Sequence, residues 1–284
     1  MPAWLVDAWR RSAPWLYLLW PVERLFRLAV LLRRSAYSRG LLASVPPGQP
    51  VVVVGHLSVG GSGKTPVVIA LAQAMLERGR RPGVISRGYG AAASSLPRFV
   101  GDASTVADCG DEALLIYRRT GCPCVGATSR VEAARALLRE CDVDLLISDD
   151  GLQHYPLARD MEIVMLDTGA GFASGLCLPA GPLREPPGRA AEADFVLHRG
   201  DPDPDRGVCY RAEALVNVVT GERWAAEAAR TGIHVHAVAG LGQPGYFLSM
   251  LAELGFDAEP HLFPDHHACT PADLAGLADR PIIM

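Results

Sequence analysis

Residues 50–78 read PVVVVGHLSVGGSGKTPVVIALAQAMLER, and this stretch constrains the fold more than any other. The β-branched run Val51 to Val54 has the character of a strand buried on both faces of a parallel sheet. The helical stretch after the loop is closed by Gly79, a residue suited to a helix end. Between them lie Gly60, Gly61 and Gly63, which let successive backbone N–H groups turn inward around an anion at a helix N-terminus. Pro66 fits the first helical turn, where its missing N–H costs nothing. The chain has 27 basic residues, and Lys64 is its only lysine. A compact ammonium on a flexible stem can lie along such a loop and reach phosphate oxygens, where a planar guanidinium does not fit. Thr65 can offer its hydroxyl to Mg²⁺.

Strand, loop and helix then repeat. RPGVIS, VDLLISDD, EIVMLD and DFVLHR read as strands, and DEALLIYRRT and SRVEAARALLRE as helices. The expected fold class is α/β, a P-loop NTPase-type parallel sheet with helices on both faces, with its ligand at the carboxyl ends of the strands. Prolines alternating with acids in RGDPDPDRG mark a stiff, solvated connection. Beyond it, IHVHAVAGLGQPGYFLSMLAELG gives strand, glycine turn and helix again, a second and smaller α/β lobe. The expected organisation is an N-terminal segment 1–43, a core 44–205 and a smaller lobe 206–284.

Other residues carry candidate chemistry. LLISDDGLQH runs an apolar strand into Asp149 and Asp150, a rigid mount for carboxylates that hold Mg²⁺, with Gly151 and His154 on the following loop. Asp111 and Glu112 stand at a helix start, where acids also serve as ordinary caps. Asp265, His266 and His267 could furnish a proton acceptor near neutral pH or lie on the surface. Arg184 and Arg130 could grip anionic groups or simply be exposed. Ser58 stands where the usual loop has its first glycine, and Val59 excludes the variant loop with a second signature lysine. No Asn/Thr-Lys-x-Asp element for guanine is present.

Composition narrows the partners. A net charge of −4 gives no general reason to expect nucleic acid, and seven scattered cysteines favour free thiols in a reducing compartment. Four of the five tryptophans fall in the first twenty residues, and residues 1–43 carry seven arginines against two acids. The apolar stretch there is too short to span a bilayer. Tryptophan and arginine interleaved with leucine suit a helix lying in the headgroup layer; a helix capping the protein's own core is the alternative.

Taken in order, SVGGSGKTP, SRGYG, GDEALL, DDGLQH, GPLRE, AGLGQP and FPDHH resemble the motifs of the tetraacyldisaccharide 4′-kinases, the lipid A 4′-kinases of Gram-negative bacteria. The resemblance runs along the whole chain. It implies transfer of the ATP γ-phosphate, with Mg²⁺, to the 4′-hydroxyl of a tetraacylated disaccharide 1-phosphate, forming lipid IVA. It implies a peripheral enzyme on the cytoplasmic face of the inner membrane, with a lipid disaccharide and the membrane surface as partners, and nothing calls for an obligate protein partner. It further implies that Ser58, Val59, Gly60, Gly61, Ser62, Gly63, Lys64 and Thr65 hold ATP. Asp111 would be the base, tuned by His266, while Glu112, Asp149 and Asp150 would serve metal and nucleotide and Arg184 would face the acceptor. Arg130 and His154 join the substrate-binding candidates. The family continues past its last strand with a Thr-Glu-Lys-Asp segment and a further helix, so a sequence ending at Met284 is expected to have a shortened smaller lobe. The rival expectations are a membrane-associated P-loop ATPase that switches a protein partner, and a soluble small-molecule kinase.

Overall fold

The computed structural model describes residues 3–60, 63–88, 97–169, 171–226, 232–264, 267 and 269–284. It has two compact units, Met1–Val208 and Cys209–Met284. The first opens with helices α1 (Ala3–Arg10) and α2 (Trp20–Ser38). An α/β order follows: β1 (Val51–His56), α3 (Lys64–Glu77), β2 (Pro82–Ser86), β3 (Arg98–Phe99), α4 (Val106–Cys109), α5 (Asp111–Thr120), β4 (Cys124–Gly126), α6 (Arg130–Glu140), β5 (Leu145–Asp149), β6 (Met161–Asp167), β7 (Phe195–Arg199) and β8 (Gly207–Val208).

These strands form one sheet in the order β3-β4-β2-β5-β1-β6-β7-β8. It is parallel except at its edge, where β3 runs antiparallel to β4, so the expected all-parallel sheet is in fact mixed. Strands as short as β3 and β4 have no periodicity to reveal them. Alternation along β1 explains the valine run. Val51 and Val53 enter one core with Val131, Ala134 and Leu137 of α6, while Val52 and Val54 enter the other with Val68, Ile69 and Ala72 of α3. Helices therefore cover both faces.

The chain order reverses around β1. It first builds outward through β2 and β4, returns to β5, then crosses to β6 on the other side of β1. In open α/β sheets the crevice at such a reversal, outside the carboxyl ends of the strands, is where ligands bind. The acidic connection after β7 stays on this unit, because Arg199 of β7 pairs with Val208 of β8.

Segment 1–43 belongs to the first unit. Trp9 Nε1 donates to the Pro179 carbonyl at 3.0 Å, and Glu23, fully buried, accepts the Cys177 N–H at 3.2 Å. Phe26 packs against the main core. The other side of α2 exposes Val22, Leu25, Leu28 and Leu32, one stripe at helical spacing. Trp4, Trp15, Tyr17 and Leu18 are exposed before it. No described helix is long and apolar enough to cross a membrane.

The second unit contains the hairpin of β9 (Ala214–Val216) and β10 (Arg223–Ala225), then β11 (Ile233–Ala239), α7 (Pro244–Glu253), β12 (Phe256–Leu262), α8 (Pro271–Leu274) and β13 (Ile282–Ile283). A parallel sheet of order β12-β11-β13 packs Val235, Ala237, Phe256 and Ala258 against Leu251, Phe247 and Leu248 of α7.

Candidate functional site

The carboxyl ends of β1 and β5 lie side by side, with Val54 in register with Asp149. The loop leaving β1 therefore runs beside the two acids that end β5. Gly60 and Gly63 hold φ of 107° and 75°, backbone that favours glycine, and Gly63 is the residue from which α3 starts. Gly61 and Ser62 lie outside the described residues. Lys64 and Thr65 begin α3, so the lysine sits at the helix mouth, 6% exposed.

A third segment closes on this corner. Ser58 forms an isolated antiparallel bridge with Leu183. The Val59 N–H donates to the Pro182 carbonyl at 2.8 Å, and the Arg184 N–H to the Leu57 carbonyl at 2.6 Å. These bonds carry Arg184 to Asp150, where its Nη1 lies 3.2 and 3.1 Å from the two carboxylate oxygens. Lys64 Nζ is 3.7 Å from Asp150 Oδ1, and His56 Nδ1 is 3.5 Å from the same atom. Burial alone would raise the Asp150 carboxyl, but Lys64, His56 and Arg184 outweigh it and hold it well below the usual carboxylate range.

Asp149 is the opposite case. It is 1% exposed, and neither carboxylate oxygen has a hydrogen-bond partner. Burial, then the charge of Glu112, push its carboxyl up to about 7. Asp149 is the last residue of β5, whereas Asp150, with φ of 48°, already turns out of the strand, so the two neighbouring aspartates meet different surroundings. An orphaned buried carboxylate suits Mg²⁺, a hard cation that takes oxygen ligands.

The remaining candidates separate. Arg130 is buried, and its guanidinium donates to the carbonyls of Ala127 at 3.1 Å, Asp149 at 3.0 Å and Asp150 at 3.5 Å. It clamps the end of β5 from inside. Burial, only partly offset by Asp149 and Asp150, lowers it to about 10. His154 is half-buried, its Nε2 has no hydrogen-bond partner, and burial with the charges of Arg130 and Arg159 lowers it to about 4. Asp111 and Glu112 form the first turn of α5, and the Glu112 N–H donates to Asp111 Oδ1 at 2.9 Å. His266 lies outside the described residues, so its pairing with Asp111 does too. His267 is described: its Nε2 is 3.1 Å from Asp273 Oδ2, and its ring stacks on Phe263 at 4.6 Å.

Two groups escaped the sequence reading. His56 ends β1, 1% exposed, with burial and then Lys64 lowering it well below the usual histidine value. A lone polar residue closing a valine strand was the available signal. Behind Arg184, Glu185 accepts from Tyr155 Oη at 2.6 Å and from Gln153 Nε2 at 3.0 Å, and lies 3.6 Å from Arg189. This buried network fixes the Arg184 segment, and only its GPLRE motif was visible in the sequence.

Lys64 at the N-terminus of α3, close to Asp150 and to the end of β5, is an arrangement compatible with phosphoryl transfer. The family model for the tetraacyldisaccharide-1-P 4′-kinases matches residues 15–284. The tetraacyldisaccharide 4′-kinase of Pseudomonas aeruginosa (strain UCBPP-PA14) is 44% identical over 283 residues, 99% of this chain and 85% of that one. That of Azotobacter vinelandii is 45% identical with the same coverage. The crystal structure of LpxK from Aquifex aeolicus, in complex with ATP, superposes with a TM-score of 0.73 at 26% identity over 94% of this chain and 92% of its own. The chain belongs to the tetraacyldisaccharide-1-P 4′-kinase family.

Proposed function

We propose that this corner transfers the γ-phosphate of ATP to the 4′-hydroxyl of a tetraacyldisaccharide 1-phosphate, giving lipid IVA in lipid A biosynthesis. The observation that carries it is an aspartate flanked by cations next in sequence to a buried carboxylate with no hydrogen-bond partner. Lys64 and Arg184 flank Asp150, while Asp149 stands buried with both oxygens unpartnered.

The loop from Ser58 to Thr65 acts as a P-loop, its amides and the N-terminus of α3 holding the triphosphate. Lys64 is drawn from Asp150 to the β- and γ-oxygens. Thr65, Asp149 and Glu112 would hold Mg²⁺, which would supply charge neutralisation on the phosphate oxygens. Asp150 keeps Lys64 and Arg184 oriented. Arg130 is a positioning residue for β5, and Arg184 faces the acceptor's anionic groups. Asp111 takes the proton of the attacking hydroxyl, with His266 tuning it. His154, kept neutral by burial and then by its cationic neighbours, is a candidate donor or acceptor for the sugar. Catalysis on this reading is positioning and electrostatics, with no covalent intermediate on the protein.

The exposed stripe of α2 and the tryptophans before it lie in the headgroup layer of the cytoplasmic leaflet, where the acylated substrate resides. Arg24, stacked 4.6 Å over the Trp20 ring, places a cation at the same level.

The test supplies radiolabelled ATP, Mg²⁺ and a tetraacyldisaccharide 1-phosphate in mixed micelles. Label should move to the lipid, and ADP should form only when lipid is present. Lipid-independent ADP formation with no labelled lipid would instead identify a nucleotide switch.

A further inference from the structure

A second constellation lies in the smaller unit. Strands β11 and β12 are parallel with His236 opposite Glu259, and His261 follows two residues on, so all three side chains leave the same face of the sheet. That face is opposite to the one on which Val235, Ala237 and Ala258 pack against α7. One ligand atom from each of His236, Glu259 and His261 lies within 4.8 Å of the others. His261 Nε2 is 3.0 Å from His236 Nδ1, and Glu259 Oε2 is 3.7 Å from it. Ligands at about 2.0–2.1 Å from a tetrahedral Zn²⁺ stand roughly 3.3 Å apart, between those two separations.

The protonation pattern favours a cation. His236 is 4% exposed, and its Nε2 lies 2.8 Å from Asp279 Oδ1. An ionised carboxylate only accepts, so Nε2 carries the proton and Nδ1 presents its lone pair to the cluster. A carboxylate behind a histidine is the arrangement that fixes the tautomer and basicity of metal-ligating imidazoles. A surface accident would not align two neighbouring strands, bury the central imidazole and back it with an acid.

We propose that His236 Nδ1, His261 Nε2 and the Glu259 carboxylate bind a divalent transition-metal ion of the Zn²⁺ class, with Asp279 orienting His236 and a water completing the set. The site joins β11, β12 and the segment leading into β13. Its metal differs from the Mg²⁺ of phosphoryl transfer, since imidazole nitrogens suit Zn²⁺ and not Mg²⁺. One group opposes it: Arg280 Nη1 holds Glu259 Oε2 at 3.0 Å and its Nε holds Asp279 Oδ2 at 3.1 Å. The ion takes Glu259 from Arg280, so Arg280 is a built-in competitor.

The test titrates the untagged, chelator-stripped full chain with ZnCl₂ by calorimetry, without nucleotide, with MgCl₂ as control. One equivalent of Zn²⁺ should bind with micromolar or tighter affinity, and Mg²⁺ should give no such event. Glu259→Gln with His261→Gln, both away from the α7 core, should weaken binding by at least ~100-fold while circular dichroism stays unchanged. Asp279→Asn should weaken it roughly 10–100-fold, whereas Arg280→Gln should tighten it. Equal binding by the wild type and the Glu259/His261 variant, no binding below millimolar Zn²⁺, or loss of affinity in Arg280→Gln would each overturn the proposal.

Discussion

Replacing Asp149 with asparagine should stabilise the metal-free protein at alkaline pH while disabling it as an enzyme. The cause is a carboxyl with no hydrogen-bond partner on either oxygen, pushed up to about 7 by burial and by Glu112. In the unfolded chain this group ionises near pH 4. Between pH 4 and 7 the folded state therefore binds more protons than the unfolded one, and stability falls as pH rises. A tenfold change in proton affinity is worth about 1.4 kcal/mol, so taking the fold from pH 5 to pH 8.5 costs roughly 2–3 kcal/mol at this residue. Asparagine has the same shape and does not incur that cost. Urea unfolding of both proteins, followed by far-ultraviolet circular dichroism in chelator, measures the difference at each pH. The variant's lead over the wild type should grow by about 2–3 kcal/mol between pH 5 and pH 8.5. Adding Mg²⁺ at pH 8.5 should raise the wild-type midpoint and leave the variant's unmoved. A gap of the same size at both pH values would show that Asp149 is not the desolvated acid described here, and an equal response to Mg²⁺ would remove it from the metal set.

Asp111→Ala should lower turnover by about 10²–10⁴-fold with nucleotide affinity nearly intact, measured by steady-state kinetics and ATP binding in parallel. Gly151→Ala places a Cβ 2.3 Å from Ser148 Oγ and 3.3 Å from Val53 Cγ1. That overpacking should cost ~1–3 kcal/mol, and a thermal melt should fall by several degrees. Leu25→Ser, Leu28→Ser and Leu32→Ser together remove an exposed stripe without touching the core. Losing at least ~3 kcal/mol of apolar transfer should weaken partition into anionic vesicles by about 10²-fold or more in a flotation assay, with activity on micellar substrate retained.

What could be read from the sequence was what one element determines by itself. The valines of β1, the glycines, Lys64 and Pro66 lie within a single strand–loop–helix, so local pattern carried the element. The apolar approach to Asp149 and Asp150 was equally plain. Their different surroundings were not, because these depend on which acid pairs with Arg184 and which feels the charge of Glu112, and both partners arrive from remote segments. Arg130 shows the same limit. As the first residue of α6 it looked available to a substrate, yet the fold buries it against the end of β5. Glu23, one of the two acids of segment 1–43, is the buried residue through which α2 receives the Cys177 N–H.

The smaller unit makes the point in its sharpest form. Alternation in IHVHAVAG and in DAEPHL tells that His234 and His236 share one face of their strand, and Glu259 and His261 one face of theirs. It does not tell that the faces coincide, since a slip of one residue in the pairing of β11 with β12 would send one set to the α7 core. Apolar burial chooses the register: Val235 and Ala237 must meet Phe256 and Ala258 beneath α7. The imidazoles and carboxylate are then assembled on the far face as a consequence. A substitution that moves this register, such as a charge at Ala237, should therefore abolish Zn²⁺ binding without altering any ligand. Retained stoichiometric binding in a folded Ala237→Asp protein would break the link between core packing and the site.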